Sequence, residues 1–70
     1  MTNEDVMKIA KADIKKNGSY VIPKSHPDNE LSTKQKMQFS EEMAVARKLV
    51  KAKVLRIIQD DRRITAFEFV

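Results

Sequence analysis

Apolar positions Val6, Ile9, Ala10 and Ile14 recur at steps of three and four residues, the spacing that aligns one face of an α-helix. The segment opens on Thr2-Asn3-Glu4-Asp5, a capping-box spacing with carboxylates in the first turn, where the helix dipole favours negative charge. Lys15 and Lys16 suit its last turn, and Asn17-Gly18 can supply the left-handed residue that ends it. Ser19-Tyr20-Val21-Ile22, aromatic and β-branched, predicts a short strand, closed by Pro23, which has no amide hydrogen to pair. From Lys24 to Glu30 the chain is polar around the turn-forming Pro27-Asp28-Asn29, so this stretch is expected as a solvated loop outside the core.

Two more helix starts follow in close succession. Ser32 with Gln35 has capping-box spacing and opens a short helix to about Met37; Ser40 followed by Glu41 and Glu42 predicts a third helix. On the third, Met43, Ala46, Leu49 and Val50 share one face and Arg47, Lys48 and Lys51 another. Continued past Ala52, the roughly 100° step per residue would bring Lys53 into the apolar face, so the helix is expected to stop there. Val54 to Gln59 and Ile64 to Phe69 are β-forming on either side of the turn signal Asp60-Asp61 and predict a hairpin. The alternative is one long helix to Asp60 and a single last strand, which leaves residues 53–59 either strand or helix. The expected architecture is a single α+β domain over residues 1–70, in the order helix, strand, helix, helix, β-hairpin.

That order resembles the winged helix-turn-helix superfamily of DNA-binding domains, mainly over residues 36–69. Lys36-Met37-Gln38-Phe39-Ser40-Glu41-Glu42 looks like the helix-turn-helix corner, with Ser40 capping a recognition helix and Met37, Phe39, Val45 and Leu49 turned inward. Asp60-Asp61-Arg62-Arg63 with Ile64 to Phe69 resembles the wing and its return strand. Family members carry glycine at the corner and before the wing, whereas Gln38 and Lys53 stand in those places here. The resemblance implies duplex DNA as partner. Ser40, Arg47, Lys48 and Lys51 would be on the recognition helix, Arg62 and Arg63 at the wing, and Lys34 and Lys36 on flanking phosphates. Glu41 and Glu42, at the end of the helix that enters the groove, would repel phosphate.

Charge fits that implication. The chain carries a formal net charge of +4. Five basic residues balance five acidic ones up to Glu30, while from Leu31 onward nine basic residues face five acidic ones, so the whole excess lies in the second half. The chain has no cysteine, which excludes a disulfide framework and thiolate zinc sites and suits a reducing cytoplasm. Met1-Thr2-Asn3-Glu4-Asp5 is unlike a secretory signal and no apolar run approaches the roughly 18 residues of a membrane span, so a soluble protein is expected. Its size suggests a phage or mobile-element regulator.

Catalysis finds little support. The single histidine lies in the polar loop, the single glycine excludes a glycine-rich phosphate loop, and no nucleophile with an attendant base is readable. Neither a cofactor nor a metal is expected, because Glu41-Glu42 and Asp60-Asp61 do not converge. His26-Pro27-Asp28 is the hallmark tripeptide of J-domain co-chaperones, but that module needs a long basic helix running into it, and Gly18 and Pro23 interrupt any such helix. Tyr20, Phe67 and Phe69 could stack on nucleobases, but at strand spacing in so short a chain they are expected in the core, with Met37 and Met43; Met7 is expected as an exposed contact. The competing expectation is a protein-interaction module, an adaptor or inhibitor. Its chain end, Ala66 to Val70, would pair across a sheet edge with a partner or with a second copy in a homodimer.

Overall fold

A computed structural model describes residues 1–70. The first helix, α1 (Asn3–Asn17), begins as its capping box requires: the Thr2 hydroxyl accepts from the Asp5 amide at 3.2 Å, and the Asp5 carboxylate accepts from the Thr2 amide at 3.0 Å. Gly18, at φ 88°, ends it with its N–H donated to the Ile14 carbonyl at 2.9 Å. Strand β1 (Tyr20–Pro23) follows at once.

The main departure from the sequence expectation comes next. The two helices expected over residues 32–37 and 40–52 are one continuous helix, α2 (Thr33–Lys51), so the order is helix, strand, helix, hairpin and the helix-turn-helix corner is absent. The Ser32–Gln35 capping box does start it, with both reciprocal hydrogen bonds in place. Nothing between Lys36 and Glu42 then stops it: there is no glycine or proline, and Phe39, Met43, Ala46 and Val50 carry one apolar face through the expected break. Ser40 resembles a cap in sequence but sits in mid-helix. Met37, expected inward, is 65% exposed, and every residue from Thr33 to Gln38 is exposed, so the first turns of α2 stand clear of the core.

At its other end α2 stops where Lys53 would have entered the apolar face, and it does not run on to Asp60. Lys53 takes the left-handed conformation, φ 61°, and Val54 N–H returns to the Leu49 carbonyl at 3.0 Å. The sequence has no glycine here, but the backbone takes the conformation that glycine favours. A left-handed lysine costs about 1–2 kcal/mol, partly offset by the greater chain entropy glycine loses on folding. Lys53→Gly is therefore expected to stabilise the chain by about 0.5–1 kcal/mol, read as a higher urea midpoint with unchanged slope.

Strands β2 (Leu55–Asp60) and β3 (Ile64–Phe69) form the expected hairpin, and the three strands make an antiparallel sheet in the order β1-β3-β2. The last strand is therefore central and paired on both sides, and cannot offer an edge to a partner as expected from its place at the chain end. The edges are β1 and β2. Phe67 lies opposite both Tyr20 and Ile57, and a bulge leaves Ile58 without a partner. Both helices cover the sheet face that carries Tyr20, Ile22, Leu55 and Phe67, all buried together with Val6, Ala10 and Ala46. Met7 packs half-buried against this cluster and is not the exposed contact anticipated for it.

Candidate nucleic-acid interface

Fusion of the two expected helices rearranges the predicted contact residues. At roughly 100° per residue, Lys36, Ser40, Ala44, Arg47 and Lys51 fall on one stripe of α2, with Lys48 on its flank. All six are exposed. The stripe runs about 22 Å along the helix at 1.5 Å per residue, and no acidic residue lies within it. Glu41 borders it beside Lys48, whereas Glu42 points the other way and is 6% exposed. The acidic pair expected to repel phosphate at a helix start is thus split between a rim and the interior.

Lys34 and Lys36, expected to act together, lie roughly 160° apart around the helix. Only Lys36 joins the stripe. Ser40 is exposed among the basic side chains, but as a mid-helix hydroxyl it caps nothing. With Ala44 it leaves the middle of the stripe low, so that long basic side chains on either side can reach an approaching backbone.

The hairpin tip and the loop after β1 meet the stripe at Asp60. The Asp60 carboxylate pairs with Lys24, accepts from the Thr65 hydroxyl at 3.0 Å, and lies 4.0 Å from the Arg47 guanidinium. Lys24 most strongly, then the Thr65 hydroxyl and lastly Arg47, hold the Asp60 carboxyl below the ordinary aspartate range. Arg47 therefore has a carboxylate beside it that any anionic partner must compete with. Beyond Asp60, Asp61 accepts backbone hydrogen bonds from Arg63 at 2.8 Å and Ile64 at 2.9 Å. Those bonds and the Gln59 amide depress its carboxyl to about 2 and fix the turn that presents Arg62 and Arg63 to solvent. The Arg63 carbonyl accepts from the Lys24 amide at 2.8 Å and the Asn29 side chain at 2.9 Å, which ties the tip to the loop. His26 and Asp28 sit next to the tip arginines. His26 is half-buried, and its Nδ1 accepts from the Asp28 amide at 3.1 Å.

Lys24 was not legible as a site residue. It lies in an irregular loop, and only the tertiary fold brings it to a cleft of about 220 Å³ shared with Ser25, Lys36 and Ser40 over a floor that includes Phe39 and Met43. Arg56 is exposed too, but it pairs with Glu68 across the hairpin and adds no free charge. No group of three or more His, Cys, Asp or Glu side chains converges anywhere in the chain. No helix is long and apolar enough to cross a membrane. No protein-family model, curated protein or solved structure matches the chain.

Proposed function

We propose that this chain is a small DNA-binding protein, a regulator or accessory factor without catalytic activity, that grips duplex DNA through the outer stripe of α2 and the hairpin tip. The observation that supports this most is the single exposed stripe of Lys36, Ser40, Arg47 and Lys51, free of acidic residues, on a helix whose first turns stand clear of the core. An α-helix with an exposed basic side fits a major groove, and lysine and arginine donors serve phosphate before they serve bases; at Arg47 the phosphate displaces the Asp60 carboxylate. Arg62 and Arg63 at the tip extend the positive surface beyond the helix, while Lys24, across the cleft from Lys36, is paired with Asp60.

Titration of random-sequence duplex tests it. Binding on the order of 10–100 µM at physiological salt is expected, with log affinity falling against log salt at a slope near −3 to −4 if about four phosphates are neutralised. Changing Arg47, Lys48 and Lys51 to Ala should weaken binding at least about tenfold at low salt and flatten that slope. No binding of the unmodified chain at ~50 mM salt overturns the reading.

One observation favours the competing reading, a protein-interaction module. Edge strand β2 exposes Ile57 and Ile58 side by side, at 37% and 48%. A partner strand or a second copy could pair there, although the bulge at Ile58 blunts that edge. Salt-independent self-association lost in Ile58→Lys would support it.

A further inference from the structure

On the side of α2 away from the basic stripe, an open depression lies between α1, β1 and α2, with Ile9, Val21 and Phe39 among its walls and Asp13 and Glu42 supplying carboxylates. Two features of it are not explained by folding alone. Glu42 is 6% exposed yet forms no ion pair with any residue of the chain. Tyr20, wholly buried beneath it, has a hydroxyl that faces the Glu42 carboxylate without a formed hydrogen bond to it or to any other group. Buried polar groups are normally satisfied, and a buried carboxylate without a counter-ion is costly. Asp13 has its own tasks, accepting from the Val21 amide at 2.9 Å and the Asn17 side chain at 2.6 Å, but both its oxygens retain a free lone pair. Lys16 lies at the rim and pairs with neither carboxylate. In a chain of net charge +4, this is a negative, apolar-walled hollow.

We infer that the hollow receives an alkylguanidinium, the side chain of an arginine on a partner protein, with its stem against Ile9 and Val21, its plane against Phe39 and its nitrogens on Glu42 and Asp13. The chemistry argues for this occupant: a guanidinium is planar, weakly hydrated, offers five donors in a fork that matches carboxylates, and stacks on an aromatic face. Such a cation supplies the charge that Glu42 lacks and lets the carboxylate orient toward the Tyr20 hydroxyl. The inference is independent of DNA binding, because Glu42 and Lys51 lie on opposite sides of α2.

The test is an amide NMR titration of the intact chain with n-butylguanidinium chloride, and separately with a capped Gly-Arg-Gly peptide, against sodium chloride at matched ionic strength. Saturable shifts centred on Tyr20, Val21, Phe39 and Glu42 are expected, with Kd on the order of millimolar for both probes. Glu42→Gln, which keeps side-chain shape, should retain the folded spectrum and weaken binding about tenfold or more, while Arg47→Ala should leave it unchanged. Shifts that do not saturate, or that persist equally in Glu42→Gln, overturn the site. Binding of butylguanidinium without binding of the peptide overturns the partner arginine.

Discussion

Phe67→Ala is expected to bring the fold to the edge of unfolding at 37 °C. Phe67 sits in the middle strand of the sheet, is wholly buried, and lies opposite Tyr20 on one side and Ile57 on the other. Its ring centroid is 5.5 Å from that of Tyr20 at a 33° tilt, so truncation removes an aromatic pair as well as buried area. Cutting a buried phenylalanine to alanine costs about 3–5 kcal/mol, and a chain of this size has roughly 5 kcal/mol in total. Only 12 of 70 residues are buried, so few neighbours can collapse into the cavity. Circular dichroism during urea unfolding reads the loss directly; Phe67→Leu, which keeps most of the volume, should cost about 1–1.5 kcal/mol. A loss below about 1 kcal/mol for Phe67→Ala would contradict its place at the centre of the fold.

Glu42 should act in the opposite direction. Burial lifts its carboxyl above the ordinary glutamate range and Asp13 adds to the rise, while the Tyr20 hydroxyl only partly opposes it. The folded state therefore binds this proton more tightly than the unfolded chain. The stability it contributes is fully present below the unfolded value of about 4.5 and is lost as pH rises through the folded value. At neutral pH the ionised carboxylate is a net cost. Glu42→Gln removes that cost and should stabilise the chain at pH 7 by about 1–2 kcal/mol, with the gain shrinking to near zero by pH 4. Asp5, Asp60 and Asp61, all depressed, set the acid limb with the reverse sign: their contribution is present above about 3.8 and is lost as pH falls through their folded values. The unmodified chain should thus be most stable on the acid side of neutrality. Urea midpoints from pH 3 to 8 for both proteins test this, and equal midpoints at pH 7 would show that Glu42 is solvated and carries no such cost.

These two residues also mark what could be read from the sequence. Phe67 was legible as core because the β-forming run Ile64 to Phe69 and the turn signal at Asp60-Asp61 define a strand, and an aromatic side chain in so short a chain has the most area to bury. Thr2 to Asp5 and Gly18 fixed the ends of α1 in the same way, since each terminus carries its own chemistry within one turn. Glu42 was misread together with Ser40. Ser-Glu-Glu is a good helix start, but it is equally good mid-helix sequence, and local chemistry cannot choose when no residue interrupts the apolar face from Phe39 to Leu49. That ambiguity decided the candidate site. With a corner at Gln38, Lys36 would belong to a separate helix; with α2 unbroken, it joins Arg47 and Lys51. The meeting of Lys24, Arg47 and Asp60 could not be anticipated, since it brings together an irregular loop, a helix and a hairpin base that sequence spacing does not relate.

The most direct measurement of the central claim compares duplex affinity at ~100 mM salt for Lys36→Glu and Lys34→Glu, two charge reversals that change net charge equally and lie two residues apart. The unbroken α2 predicts that Lys36→Glu weakens binding at least about tenfold, while Lys34→Glu, on the other side of the helix, weakens it by no more than about twofold. Equal losses would mean that only overall charge matters, and a greater loss for Lys34→Glu would place any DNA contact on a different face; either result contradicts the stripe of Lys36, Ser40, Arg47 and Lys51 as the binding surface.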